Sequence, residues 1–278
     1  MNVNVKACCW LLACWLTSTC VAAAEPPLRI VALAPHAVEL LYAIGAGDEL
    51  VAATEHADYP EQAKQLPRIG GYAGIQLDKL LALKPDLVVA WQDGNRNQDI
   101  ERMQQLGLRV YLSHPQTLAQ VADELERLGE LTHHQAQATA AAQQYRQQLT
   151  ALRRDNAAKR PVKVFYQLWS NPLMTVAGDS WVQQILAVCQ ADNVFSDAAS
   201  DYPQVSLENV LLRQPEVILN TDETGNPQSI DWQQWPEIPA VKQQHIITLN
   251  ADLLQRPTPR AIDGIAQLCS ALDSVRQQ

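Results

Sequence analysis

Clustered basic residues are missing from all 278 positions: 21 Lys and Arg face 30 Asp and Glu, for a net charge of −9. Phosphate recognition needs clustered cations, so a nucleic-acid partner is excluded. HExxH, GxSxG and a phosphate-binding loop are also missing. Gly70-Gly71-Tyr72-Ala73-Gly74 is glycine-rich but has neither the lysine nor the spacing of a nucleotide site. No carboxylate pair is marked as an acid/base couple, so no catalytic residues are assigned and an enzyme is not expected. The histidines show no ligand spacing. His133 and His134 read as solvated residues opening a long helix, and His36, His56, His114 and His245 as residues of separate loops. No metal or cofactor is expected.

Export chemistry is present. Lys6 is the only charge in the first 24 residues, and the apolar run Ala7 to Leu16 is too short to span a bilayer comfortably. Ala22-Ala23-Ala24 offers small residues where a signal peptidase reads. Residues 1–24 are therefore expected to be a cleaved signal peptide, with Glu25 the new N-terminus and the periplasm the destination. Cys20 is a weak lipid-attachment candidate because Thr19 precedes it. Cys8, Cys9, Cys14 and Cys20 leave with the signal. Cys189 and Cys269 stay, too far apart for a CxxC pair. Two cysteines in an exported chain read as one disulfide, the other reading being two buried thiols.

Past residue 24 the composition is globular, with 47% hydrophobic and 18% charged residues overall. Short apolar runs (Arg29 to Ala34, Leu50 to Thr54, Leu87 to Ala90, Arg109 to Leu112) alternate with helix patterns (from Val38, Leu77 to Leu83, Asn97 to Leu106). That alternation predicts α/β layers with mostly parallel sheets. From His133 to about Ala157 there is no Gly or Pro, and Tyr145, Leu149 and Leu152 fall on one helical stripe. A flexible linker would be Gly/Ser-rich; this segment predicts a rigid strut. The expected layout is an N-terminal lobe at 25–131, a linking helix at 132–158, and a C-terminal lobe at 159–278.

The two halves echo each other. Tyr72-Ala73-Gly74-Ile75-Gln76-Leu77-Asp78 aligns without a gap to Tyr202-Pro203-Gln204-Val205-Ser206-Leu207-Glu208, and the same offset carries Pro85 to Pro215 and Val88 to Ile218. Such an echo predicts a duplication and two similar lobes facing across a cleft. Tyr72 and Tyr202 hold the matched loop position. Trp91 follows the strand Leu87 to Ala90, at a carboxyl strand end where α/β ligand sites form. Rings in polar loops suit a large, partly apolar ligand.

Five stretches carry a family resemblance: Ala57-Asp58-Tyr59-Pro60, Leu83-Lys84-Pro85-Asp86-Leu87-Val88-Val89-Ala90-Trp91, Asn171-Pro172, Pro203-Gln204-Val205-Ser206 and Pro257-Thr258-Pro259-Arg260. On these the chain resembles the class of periplasmic binding proteins that serve cobalamin, siderophore and haem importers. The tryptophan after the strand and the PQVS stretch resemble the cobalamin branch. The resemblance implies a monomer of two α/β lobes joined by one long helix, which binds cobalamin in the inter-lobe cleft and delivers it to a membrane permease-ATPase importer. A haem or ferric siderophore is the alternative ligand, with His56 or a cleft tyrosine as the axial group for haem. The implied cleft contacts are His56, Tyr72, Trp91, Met174, Tyr202, Asp252 and Arg256. The implied docking acids, one per lobe, are Asp78 and Glu208. Cys189 and Cys269 match the disulfide positions of the class.

Overall fold

A computed structural model describes residues 27–221 and 230–277; the expected signal peptide lies outside the described residues. In the first half, β1 (Ile30–Ala32) is wholly buried, as an uninterrupted apolar strand must be when helices cover both faces of a parallel sheet. Helix α1 (Pro35–Ala43) starts with Pro35 in its first turn, where a missing N–H costs nothing. Then follow β2 (Leu50–Ala53), α2 (Leu77–Ala82), β3 (Leu87–Trp91), α3 (Asn97–Gln105), β4 (Val110–Ser113) and α4 (Gln120–Leu131). The four strands form one parallel sheet in the order β2-β1-β3-β4.

Helix α5 (Gln135–Asn156) has 22 residues, about 33 Å of rod at 1.5 Å per residue. It is shorter at both ends than the 132–158 drawn from sequence. It buries Ala138, Ala142, Tyr145 and Leu149 along one stripe. That stripe packs on α4 of the first half and, in the second, on α6 (Trp181–Val188) and α10 (Ala261–Arg276). Its entry corrects one expectation: His134 is not solvated. It occupies the N-cap position of α5 and pairs with Glu49 at 3.2 Å.

The second half contains β5 (Val162–Gln167), α6, β6 (Ala191–Asn193), α7 (Leu207–Arg213), β7 (Val217–Thr221), α8 (Pro239–Lys242), β8 (Ile246–Leu249), α9 (Ala251–Gln255) and α10. Its sheet runs β6-β5-β7-β8, all parallel. This is the strand order of the first half, and β7 spans the positions of β3 at the offset of 130 read from sequence (217 − 87 and 221 − 91). The duplication is therefore visible in topology. It breaks in the loop before α2. Gly70–Gly71 and Gly74–Ile75 form a hairpin with Gly70 at φ +131° and Gly74 at φ +138°. The equivalent residues are Ser200 and Gln204, whose side chains disfavour that backbone. There Gln204 bridges Met174 instead, in a hairpin pairing Trp169–Ser170 with Leu173–Met174.

One apolar cluster runs from Ile30 and Leu41 through Tyr145 and Leu149 to Val162 and Leu268, so the halves share a core. Cys189, at the C-cap of α6, is disulfide-bonded to Cys269 of α10. The bond closes a loop of 80 residues, and loop-closure entropy puts its contribution at about 4 kcal/mol. Replacing both cysteines by alanine should lower the unfolding free energy by about that much in urea titration. An unchanged midpoint would mean that packing of α6 on α10 alone holds this corner.

Candidate functional site

A cavity of about 500 Å³ opens where the carboxyl ends of the two sheets face each other. The first lobe contributes Trp91 and Asp93, with Pro115 and Gln116 beyond β4; the second contributes Leu168, Trp181, Asp201, Tyr202, Gln255 and Pro257. Trp91 is the last residue of β3, and it is 37% exposed while the four residues before it are buried. The sheet thus delivers one large ring to the mouth and keeps the rest of the strand in the core. Asn95 holds that end: its Oδ1 accepts the Trp91 N–H at 2.7 Å, and its Nδ2 donates to the Leu33 carbonyl at 2.9 Å.

Tyr202 is 47% exposed on the opposite wall. Its phenol is pushed above the ordinary range by burial and then by the carboxylates of Asp201 and Asp93. Asp93 belongs to the other lobe, so the two walls are within electrostatic reach. Asp93, Asp179 and Asp201 line the cavity, and among the described residues no Lys or Arg does. His114 pairs with Asp93 at 2.7 Å.

Behind this wall the lobes are joined by an ionic cluster. Arg256, 14% exposed, donates from Nη1 to Glu39 at 3.0 Å and Asp58 at 2.8 Å, and from Nη2 to Asp252 at 2.7 Å. Arg260 also reaches Glu39 at 3.1 Å and lies over the Tyr59 ring. Burial raises the Glu39 carboxyl, against the pull of both arginines. Burial also acts to raise Asp58, but Arg256 outweighs it and holds that carboxyl below its ordinary range. Glu39 and Asp58 belong to the first half and Arg256 to the second, so one guanidinium ties both.

Of the residues singled out from sequence, Trp91 and Tyr202 come together on the cavity. Gln255 and Pro257 line it on either side of Arg256 in the chain, but the Arg256 guanidinium and Asp252 are bonded to each other. Tyr72 is 92% exposed at the tip of the glycine hairpin. His56 is exposed in the loop after β2, in left-handed backbone at φ +64°. Met174 stands opposite Trp169 across the second hairpin. Trp169 (58% exposed), Trp181 and Asp93 went unread. The signal for Trp169 was available: it lies two residues past the end of a buried parallel strand, as Trp91 ends one. Asp78 and Glu208 are exposed in the first turns of α2 and α7. The Glu208 carboxyl is held low by its own backbone N–H and by Ser206.

His36 differs from the loop residue expected: it lies in the first turn of α1 and is buried. Burial, and then the charge of Arg256, lower its pKa from 6.5 to about 3. Among the described residues no group of three or more His, Cys, Asp or Glu could hold a metal ion.

The model of the family described as "Periplasmic binding protein" matches residues 30–253. A vitamin B12-binding protein of Vibrio cholerae is 40% identical over 277 residues, covering 99% of both chains. One of Vibrio parahaemolyticus is 39% identical over 255 residues, covering 91% of this chain and 92% of the relative. Among solved structures, the periplasmic vitamin B12-binding protein BtuF of Vibrio cholerae superposes with a TM-score of 0.83 at 40% identity, covering 91% of this chain and 99% of that one. The periplasmic haem-binding protein RhuT of Roseiflexus superposes at 0.81 but 22% identity, covering 90% and 100%; that likeness is one of fold.

A pH dependence follows from His36. The unfolded chain binds this proton below pH 6.5 and the folded one only near pH 3, so folding stability falls as pH drops through that window. The cost is about 1.4 kcal/mol per pH unit. His36→Gln should therefore flatten the decline in urea-measured stability between pH 6.5 and 5 by about 2 kcal/mol relative to wild type.

Proposed function

The chain belongs to the periplasmic binding protein family, and from that premise we propose that it captures cobalamin in the cleft between its lobes and passes it to a membrane permease-ATPase importer. The observation that carries this reading is the pair of cavity walls, with Trp91 on one lobe and Tyr202 on the other, flanked by Asp93, Asp179 and Asp201. A corrin ring with its nucleotide loop is large and partly apolar, which suits the two rings. Its rim of amide side chains supplies N–H donors that carboxylates accept. Haem presents propionates, and many ferric siderophores are anions. Asp179 and Asp201, with no lining Lys or Arg, oppose such ligands, because an uncompensated like charge in a cleft is costly. Arg256 and Asp252 serve in this reading as the fixed back of the site. Tyr72, His56 and Met174 belong to its outer rim.

The protein acts as a monomer in the periplasm after removal of residues 1–24, and it binds its ligand without transforming it. Asp78 and Glu208 are the docking acids. They occupy equivalent first turns of duplicated helices, and both are exposed. A two-fold symmetric permease offers the same surface twice, so two equivalent acids can meet two equivalent basic pockets.

Calorimetric titration with cyanocobalamin, haem and a ferric-siderophore panel tests the ligand. Saturable binding of cyanocobalamin, with haem and siderophores weaker, is the expected result; haem binding without cyanocobalamin overturns it. Trp91→Ala should weaken cyanocobalamin by about 1–3 kcal/mol with the melting temperature unchanged. The docking role is tested with the cognate importer in proteoliposomes. Asp78→Ala combined with Glu208→Ala should abolish uptake at unaltered ligand affinity, and added salt should weaken the wild-type interaction. Normal uptake by the double variant would leave both acids as ordinary helix-start residues, worth about 0.3–1 kcal/mol each.

A further inference from the structure

Resting on the cleft as the ligand site, we infer that His36 is a positioning residue for Trp91: it fixes the plane in which the indole is presented to the ligand. Trp91 is held on three sides. Its backbone N–H is tied to Asn95, as described. On one face lies Gly94, where a Cβ would fall 1.9 Å from Trp91 Cε3, so that only glycine lets the ring lie flat on this turn. Against the indole stands the His36 imidazole, ring centroids 5.4 Å apart at 79°, the edge-to-face arrangement aromatic pairs favour.

The imidazole is itself immobilised. Its Nε2 is 3.0 Å from the Ser113 hydroxyl, and Ser113 is the residue of β4 paired in register with Trp91. Ser113 is fully buried, two residues along β4 from Tyr111, whose phenol donates to Glu124 of α4 at 2.8 Å. The buried Ser113 hydroxyl on β4 is thus the anchor of the ring behind Trp91. A neutral buried imidazole stabilises the fold less than an aliphatic side chain of the same volume would. It supplies a directional anchor that an aliphatic group lacks. An indole already held in one orientation loses less rotamer freedom when a ligand stacks on it, which is preorganisation of the site.

The test is a double-mutant cycle read by calorimetry with cyanocobalamin, using His36→Ala, Trp91→Ala and the pair. His36→Ala should weaken binding about three- to tenfold, the worth of an edge-to-face pair. In the Trp91→Ala background the same substitution should change affinity less than about twofold. Equal losses in both backgrounds, or no loss in the first, overturn the inference. Ser113→Ala removes the anchor while keeping the imidazole and should show the same dependence on Trp91, which guards against a His36→Ala variant that folds poorly. A ligand-free measurement separates this inference from the choice of ligand. The order parameter of the Trp91 indole N–H, read by NMR relaxation, should fall in both His36→Ala and Ser113→Ala. An unchanged order parameter overturns the positioning role even if cobalamin binds; failure of the wild type to bind cobalamin, with the order parameter falling, overturns only the ligand.

Discussion

Two parallel sheets that share no strand hold a fixed relation because α5 buries a single stripe against both halves. Ala138, Ala142, Tyr145 and Leu149 lie in the same apolar cluster as Ile30 on one side and Val162 on the other. Each side chain removed from water there stabilises the junction by about 1.5–3 kcal/mol for a large residue, and the part set against α6 and α10 forms only when the second lobe is in place. The alanines keep the stripe narrow and let α4 approach closely: a Cβ on Gly129 of α4 would fall 2.3 Å from the Ala138 methyl.

The cleft is a consequence of that junction. The lobes are related by duplication, so the carboxyl ends of both sheets reach the same gap, and each delivers aromatic side chains to it. Polar ties complete what the apolar core begins. Arg256 binds Glu39 and Asp58 across the halves, and its charge adds to the burial that keeps His36 neutral. Charges so placed are worth keeping only as a set, since removal of one partner strands the others in a poorly solvated position. The same neutral imidazole stands against Trp91, so the ionic cluster and the aromatic wall are physically adjacent.

The cavity lining is also one-signed in its fixed charges. Its carboxylates come from loops after β3, before α6 and before α7, and the nearby Arg256 is spent elsewhere, on three carboxylates. Large planar ligands with amide rims and those with acidic rims fit a cleft of similar dimensions.

Periodicity and local chemistry made much of the fold legible before any coordinates. Apolar runs of strand length, the Pro and Gly stops and the unbroken segment through Tyr145 are local signals, and the offset of 130 between Tyr72 and Tyr202 carried the duplication. Helix α4 went unread although Val121, Leu125 and Leu128 mark its stripe. That Trp91 and Tyr202 would share one cavity was legible because a strand end and a repeated loop are sequence features. What Arg256 binds, why His36 is buried, and which acids line the cleft were not, since Arg256 lies 217 residues from Glu39 and 198 from Asp58 and meets them only once the lobes pack. The sequence by itself determined the elements, their order and their doubling, because those depend on neighbours within a turn or a strand. The partners of each charge and the orientation of each ring were decided by the tertiary structure, because hydrogen bonds and ion pairs depend on distances that only the packed α5 junction sets.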